Sequence, residues 1–172
     1  MNEEALAFLS GPEGRAVLAR LSDADLGEAR TLSLLADLRK VLPADLAGAA
    51  LTLARLRERG AAKFSRAGAM FFTSDALEQA SGEAIARYRA RRFAEAGYTR
   101  IADLGCGIGG DALALAGVPG ARVIGVDRDL LRLKMARANV RAYGHQVDWL
   151  CADLRDPLPL HGVPASFFDP AR

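Results

Sequence analysis

The chain has 172 residues, 51% hydrophobic and 26% charged, the balance of a globular protein with a buried core. No apolar run reaches about 18 residues, and the acidic first residues lack the basic region of a secretory signal, so we expect a cytoplasmic protein without membrane contact. The net charge of +2 is weak evidence for any particular partner. The two cysteines, Cys106 and Cys151, lack metal-ligand spacing, so we expect reduced thiols and no metal.

Residues 1–60 show no convincing strand pattern, and we predict a bundle of about three short helices there, within an N-terminal helical domain that covers residues 1–70. Pro12 is typical of a first helical turn. Ser22 and Asp25 resemble a capping box before a leucine-rich stripe, and Gly60 closes a further stripe.

The second predicted domain covers residues 71–172 and begins with a helix. Thr73 or Ser74 serves as its N-cap, and the helix runs from about residue 75 to 96 before Gly97 ends it. Alternating α and β patterns after it predict an α/β sheet.

Two clusters of basic residues lie in the first half of the chain. The members are Arg55, Arg57, Arg59, Lys63 and Arg66 in the first cluster, and Arg87, Arg89, Arg91 and Arg92 in the second. Such clusters either neutralise the phosphates of a nucleic acid or form the solvated faces of amphipathic helices. The sequence leaves both interpretations open.

A glycine-rich turn follows the first strand-like run. Residues 103–111 read Asp-Leu-Gly-Cys-Gly-Ile-Gly-Gly-Asp and open into a helix-like run, an arrangement that holds nucleotide-like cofactors. Gly105, Gly107 and Gly110 also fit the pattern G-x-G-x-x-G, which is typical of dinucleotide-binding turns. Asp103 argues against a dinucleotide, whose pyrophosphate would approach the same helix N-terminus. S-adenosylmethionine carries an ammonium and a sulfonium instead, and an acid beside the loop suits it.

An acid also follows each later strand-like run. Asp127 ends the second run, where it suits both ribose hydroxyls; Asp153 follows the third, where it suits an adenine amino group; Asp169 follows the fourth. A lone acid at such a place also serves as a helix N-cap, but four in register are poorly explained that way.

These four strand ends resemble class I S-adenosylmethionine-dependent methyltransferases. The resemblance implies a Rossmann-like sheet, here its first four strands, preceded by the helical bundle. It implies S-adenosylmethionine as cofactor. The implied cofactor-binding residues are Phe72, Thr73, Asp103, Gly105, Cys106, Gly107, Gly109, Asp111, Asp127, Arg128 and Asp153.

The fourth motif, Asp169-Pro170, is similar to the one that orients an exocyclic amine in base methyltransferases, which makes these two the expected catalytic residues. Arg172 stands where that motif carries an aromatic residue, and an Asp-Pro-x-Arg run is also similar to uracil-5 methyltransferases. We therefore expect methylation of an RNA base. The alternatives are a non-catalytic module that retains the sheet and an NAD-binding oxidoreductase.

A narrower resemblance comes from Phe71-Phe72-Thr73 before a helix and Gly109-Gly110-Asp111 after the first strand. The pattern resembles a bacterial group of methyltransferases with a C-terminal THUMP-like domain, and more distantly the trimethylguanosine synthases. Members of class I usually continue beyond the fourth strand, so we expect a chain truncated there. Its fourth strand would be an open edge through which two copies can pair.

Overall fold

The structure is a computed structural model and describes residues 1–169. Helices fill the first part of the chain: α1 (Glu3–Ser10), α2 (Pro12–Ser22), α3 (Glu28–Arg39), α4 (Ala44–Gly60), a 3-10 turn (Ala67–Ala69), α5 (Ser74–Gln79) and α6 (Glu83–Glu95). Strands and helices then alternate: β1 (Arg100–Leu104), α7 (Gly110–Ala116), β2 (Arg122–Asp127), α8 (Leu130–Ala142), β3 (Asp148–Cys151) and β4 (Ala165–Phe168).

The N-terminal region forms four helices where the sequence predicts about three. Pro12 opens α2 as predicted. The predicted capping box is wrong, because Asp25 accepts a hydrogen bond from the Gly27 amide at 3.0 Å and so forms a local turn. Helix α3 therefore begins later, at Glu28, with Gly27 as its N-cap.

The core of these helices continues into the α/β half of the chain. Leucines of α1, α2 and α4 pack with Phe64, Met70 and Phe72, and the same cluster includes Ile108 after β1 and Met135 on α8. Helices α1–α4 are therefore packed against the elements that carry the glycine-rich turn. The domain boundary at residue 70 stays a prediction.

The predicted single helix over 75–96 is wrong, since α5 ends at Gln79 and α6 starts at Glu83. The Lys63 ammonium donates hydrogen bonds to the carbonyls of Leu77, Glu78 and Ala80, at 2.8, 3.0 and 3.0 Å. These carbonyls lie at the end of α5, where a continuing helix would satisfy them itself. The chain then turns extended at Ala80, whose ψ is 133°.

The strands form one parallel sheet in the order β3-β2-β1-β4, as predicted. Ile101 and Val123 point to the face covered by α6 and α7, where they pack with Ala86, Ala90 and Leu115. The predicted fold class is confirmed: a helical region precedes a parallel, Rossmann-like α/β sheet. Because the strands are parallel, their carboxyl ends meet at one edge.

Strand β4 is an edge of the sheet within residues 1–169, paired on one side with β1. Phe168 near its end is 58% exposed. Pairing of two copies through this edge stays a prediction. Among the same residues, no helix combines the length and apolar character needed to cross a membrane.

Candidate functional site: a cleft at the carboxyl ends of the strands

An open cleft of about 800 Å³ lies at the carboxyl ends of the strands. Eight of the predicted site residues line it: Gly105, Cys106, Gly107, Asp111, Asp127, Arg128, Asp153 and Asp169. The fold therefore brings together the glycine-rich turn after β1 and the acids that follow β2, β3 and β4.

The glycine-rich turn is held by β2 and bends through left-handed backbone. The amides of Gly105 and Cys106 both donate to the Val126 carbonyl, at 2.8 and 3.0 Å. Gly107 and Gly109 have φ values of +55° and +82°, which glycine adopts without strain. A Cβ at Gly109 would lie 3.1 Å from the Ala136 Cβ, so Gly109 allows α8 to pack closely.

Gly107 has a different role from Gly109. A Cβ at Gly107 would meet no atom of residues 1–169 within 4 Å, and Gly107 lies in the wall of the cleft. Its missing side chain therefore leaves the backbone open to a ligand. The Gly107 amide donates to Asp127 Oδ2 at 2.9 Å, and the Asp129 amide donates to Asp127 Oδ1 at the same distance. Asp127 thus fixes the turn and keeps further lone pairs for a ligand.

Asp103, the penultimate residue of β1, is a buried carboxyl group, 2% exposed, and its Oδ2 has no hydrogen-bond partner among the described residues. Burial raises the pKa of Asp103 to about 8, and the charges of Asp111 and Asp127 add to that rise. Burial likewise raises the pKa of the neighbouring Cys106 thiol, which makes it a poor nucleophile. We therefore assign Cys106 a packing role.

Asp111 and Asp169 are joined by one arginine that the sequence reasoning missed as a site residue. Arg89 Nη1 lies 3.0 Å from Asp111 Oδ1, and Arg89 Nη2 lies 2.9 Å from Asp169 Oδ2. Burial by itself lowers the pKa of Arg89, but the hydrogen bonds and charges of the two carboxylates outweigh that effect, and the net pKa is raised. Helical spacing could have indicated this position. Ala86 and Ala90 are buried, and Arg89, three residues after Ala86, lies toward the same inward side of α6.

Asp153 after β3 is paired with Arg155, whose Nε and Nη2 lie 2.9 and 2.6 Å from its two oxygens. These hydrogen bonds lower the pKa of Asp153. Arg128 is exposed at the rim after β2. The part of the cleft where the sequence predicts adenosine binding is thus bordered by Arg128 and Arg155 as well as by Asp153.

Four predicted cofactor contacts are not among the residues that line the cleft: Asp103 and Gly109, described above, and Phe72 and Thr73. Phe72 is fully buried, with its ring centroid 5.9 Å from that of Phe64, and it fills the space beside Gly60. Thr73 accepts the Ala76 amide at 3.2 Å and caps α5, as its role as N-cap predicts. The cleft wall on this side consists instead of Ala76, Gln79, Ala80 and Ser81. Phe72 lies in the core because burying its large apolar ring away from water is favourable.

The first basic cluster is largely bound within the fold. Arg55 donates to the Leu26 carbonyl, Arg57 to the Met70 carbonyl at 2.8 Å, and Arg66 to the Ala142 carbonyl at 2.8 Å. Burial lowers the pKa of Arg57 to about 10. With Lys63 holding the end of α5, these side chains stabilise the fold, so they give little support to a phosphate-binding surface.

The predicted catalytic Pro170 lies outside the described residues, whereas Asp169 is described and exposed at the cleft. Within residues 1–169, no group of three or more His, Cys, Asp and Glu side chains is arranged to hold a metal ion. The polar groups that line the cleft are carboxylates, arginines and the backbone of the glycine-rich turn.

Comparison with known proteins gives two family matches along the chain. Residues 101–169, which contain the glycine-rich turn and all four strand ends, match a family model described as a methyltransferase domain. Residues 3–60 match a domain of unknown function, DUF8688. The methyltransferase match agrees with the class of domain predicted for the second part of the chain.

Two curated relatives from different strains of Mycobacterium tuberculosis are each 40% identical to this chain over 101 residues. Both are described as uncharacterized S-adenosylmethionine-dependent methyltransferases. The match covers 59% of this chain and 26% of each relative, so the chain spans about a quarter of their length. The crystal structure of EvdMO1 aligns over 40% of this chain and 17% of its own, at 38% identity and a TM-score of 0.38.

Proposed function

We propose that the cleft binds S-adenosylmethionine and that the protein is a methyltransferase. The observation that carries this proposal is Gly107. Its backbone is left-handed and fixed by Asp127, and no atom of the described residues lies within 4 Å of the place where a Cβ would enter the cleft. The match of residues 101–169 to a methyltransferase domain and the names of the two relatives support the same cofactor.

The residues present fit this cofactor. Asp103 is buried, and its Oδ2 has no hydrogen-bond partner within residues 1–169. Burial raises the pKa of Asp103 to about 8, and a bound cation would oppose that rise by favouring the ionised form. S-adenosylmethionine supplies such positive charge, whereas a dinucleotide would bring a pyrophosphate beside Asp103 and Asp111. The charge of the turn therefore favours the sulfonium cofactor over NAD.

Each acid would hold a different part of the ligand. Asp127 offers lone pairs to ribose hydroxyls, and Asp153 offers them to an amino group of adenine. The cofactor supplies an activated methyl group, so the protein has mainly to bind, orient and exclude water. Asp169 is an acceptor at the mouth of the cleft and would orient an N–H-bearing nucleophile.

Calorimetric titration of the chain with S-adenosylmethionine, S-adenosylhomocysteine and NAD tests this assignment. We expect the first two to bind and NAD to give no heat of binding. Binding of NAD alone would favour the oxidoreductase alternative. Absence of binding by all three would contradict the proposal and favour a non-catalytic module with a methyltransferase-like sheet.

For the acceptor, we propose a base in single-stranded RNA. The support lies on the outer face of α6, where Arg91 and Arg92 are exposed and Tyr88 is 62% exposed. Guanidinium groups bind phosphates and an exposed aromatic ring stacks on an unpaired base. The same helix carries Arg89, whose side chain on the inward face contacts Asp169 at the cleft.

Titrating fluorescent single-stranded RNA against the protein at several salt concentrations tests the surface. Replacing Arg91 and Arg92 by alanine should weaken binding and reduce the slope of log affinity against log salt by about 1.4 for two lost phosphate contacts. Replacing the exposed Arg20 and Arg39 on other helices removes the same charge and should leave the slope unchanged. Equal losses of RNA affinity in both double variants would mean that binding depends only on the net charge of the protein. Preferential binding of single-stranded DNA would indicate that DNA is the acceptor.

A further inference from the structure

Arg89 is the one guanidinium in residues 1–169 that bonds both Asp111 and Asp169. Asp111 lies in the first turn of α7, directly after the glycine-rich turn, and Asp169 follows β4. Arg89 Nη1 also donates to Ser81 Oγ at 2.7 Å, in the segment between α5 and α6 that lines the cleft. Three separate walls of the cleft are thus attached to a single side chain.

The surroundings of Arg89 hold it in one orientation. Its Cζ lies over the Phe167 ring, 4.8 Å from the ring centroid, so the guanidinium also contacts an aromatic side chain of β4. Its side chain is 28% exposed and that of Asp111 is 14% exposed, so water screens this ion pair only partly. A planar fork can bond two carboxylates at once in fixed directions, which a lysine ammonium does less well.

From this arrangement we propose that Arg89 is a positioning residue that couples the ligand side of the cleft, at Asp111, to the orientation of the Asp169 carboxylate. The inference rests on the proposed cofactor function and deepens it. A ligand that settles on the glycine-rich turn moves or fixes Asp111, and the shared guanidinium transmits that change to the carboxylate that faces the acceptor. Arg89 itself contacts the carboxylates and acts through them.

The coupling has a direct readout in the backbone amide signals of the isotope-labelled chain during titration with S-adenosylmethionine. In the unaltered protein we expect shifts at Gly107 and Asp127, which line the cleft, and also at Asp169. In Arg89→Met the shift at Asp169 is lost, while those at Gly107 and Asp127 remain. Arg89→Lys restores it only in part, because an ammonium replaces the fork.

The exposed Arg39→Met variant is the matched control and keeps all the shifts, and a well-dispersed spectrum verifies that each variant is folded. An Asp169 shift that persists undiminished in Arg89→Met would overturn the coupling, as would a loss of all shifts together in that variant. No shift anywhere in the unaltered protein would instead show that S-adenosylmethionine does not bind, which is the failure of the proposed function. Shifts at Gly107 and Asp127 without one at Asp169 would leave the cofactor in place and remove the coupling alone.

Discussion

Asn139 and Phe71 exchange two hydrogen bonds inside the protein. The Phe71 amide donates to Asn139 Oδ1 at 2.7 Å, and Asn139 Nδ2 donates to the Phe71 carbonyl at 3.1 Å and to the Ile108 carbonyl at 3.0 Å. One buried amide on α8 thereby ties the segment before α5 to the glycine-rich turn. Every bond that this amide can form through its nitrogen is used within the protein.

Replacing Asn139 by leucine should lower the free energy of unfolding by at least about 2 kcal/mol, because the buried backbone groups of Phe71 and Ile108 lose their partner. Chemical denaturation measures the change. Gln146→Leu, which removes an exposed amide, is the control and should change stability little. A loss no larger than in the control would mean that water or a neighbour replaces the Asn139 amide.

Replacing Gly107 by alanine should abolish binding of S-adenosylmethionine in calorimetry, since the new methyl group would enter the cleft. The strain of a left-handed alanine costs about 1 kcal/mol at any such position. Gly120 has a φ of +76° and equally open space around its missing Cβ, so Gly120→Ala carries the same strain away from the cleft wall. Similar affinities of the two variants for S-adenosylmethionine would show that Gly107 does not contact the ligand.

Replacing Gly125 by alanine should destabilise the sheet by roughly 1–3 kcal/mol, because the added methyl group overlaps a ring. The Trp149 ring on the adjacent strand would lie within 2.4 Å of the new Cβ, and Cys106 Sγ within 3.3 Å. Thermal unfolding measures the loss. In a Trp149→Val background the same Gly125→Ala change should cost clearly less, and an equal cost in both backgrounds would rule out overlap with the ring.

The buried Asp103 predicts a pH dependence of stability. Its pKa is about 8 in the folded chain against an ordinary value of 3.8, so over that interval the folded state retains a proton that the unfolded state has released. Stability therefore falls as pH rises through this window. Asp103→Asn, which mimics the neutral acid, should reduce the decline in unfolding free energy between about pH 5 and about pH 8. The exposed Asp148→Asn variant should keep the full decline, and equal declines in the two variants would place the titration elsewhere.

Much of the α/β half was predictable because its signals are local. Each strand is a short apolar run that ends at an acid, and a parallel sheet brings such ends together, so Asp127, Asp153 and Asp169 were placed at one cleft from their spacing alone. The fourth predicted strand-like run stops just before Asp169, and strand β4 ends there, at Phe168.

The misses came from side chains that act over long distances in the sequence. The break between α5 and α6 depends on Lys63, which bonds carbonyls 14 to 17 residues later. Arg89 was counted as surface charge because its partners, Asp111 and Asp169, are 22 and 80 residues away. Phe72 was assigned to the cleft by resemblance, whereas packing against Phe64 places it in the core.

The pairing of β1 with β4 has a consequence for synthesis of the protein. Ile101 pairs with Val123 on one side and with Ala165 on the other, so its second neighbour is made about 60 residues after it. Ribosomes add about 5–20 residues each second, which leaves one side of β1 unpaired for roughly 3–13 seconds in each nascent chain. During that interval neighbouring chains on one messenger can pair through the open side of β1, so slower translation should lower the yield of folded protein.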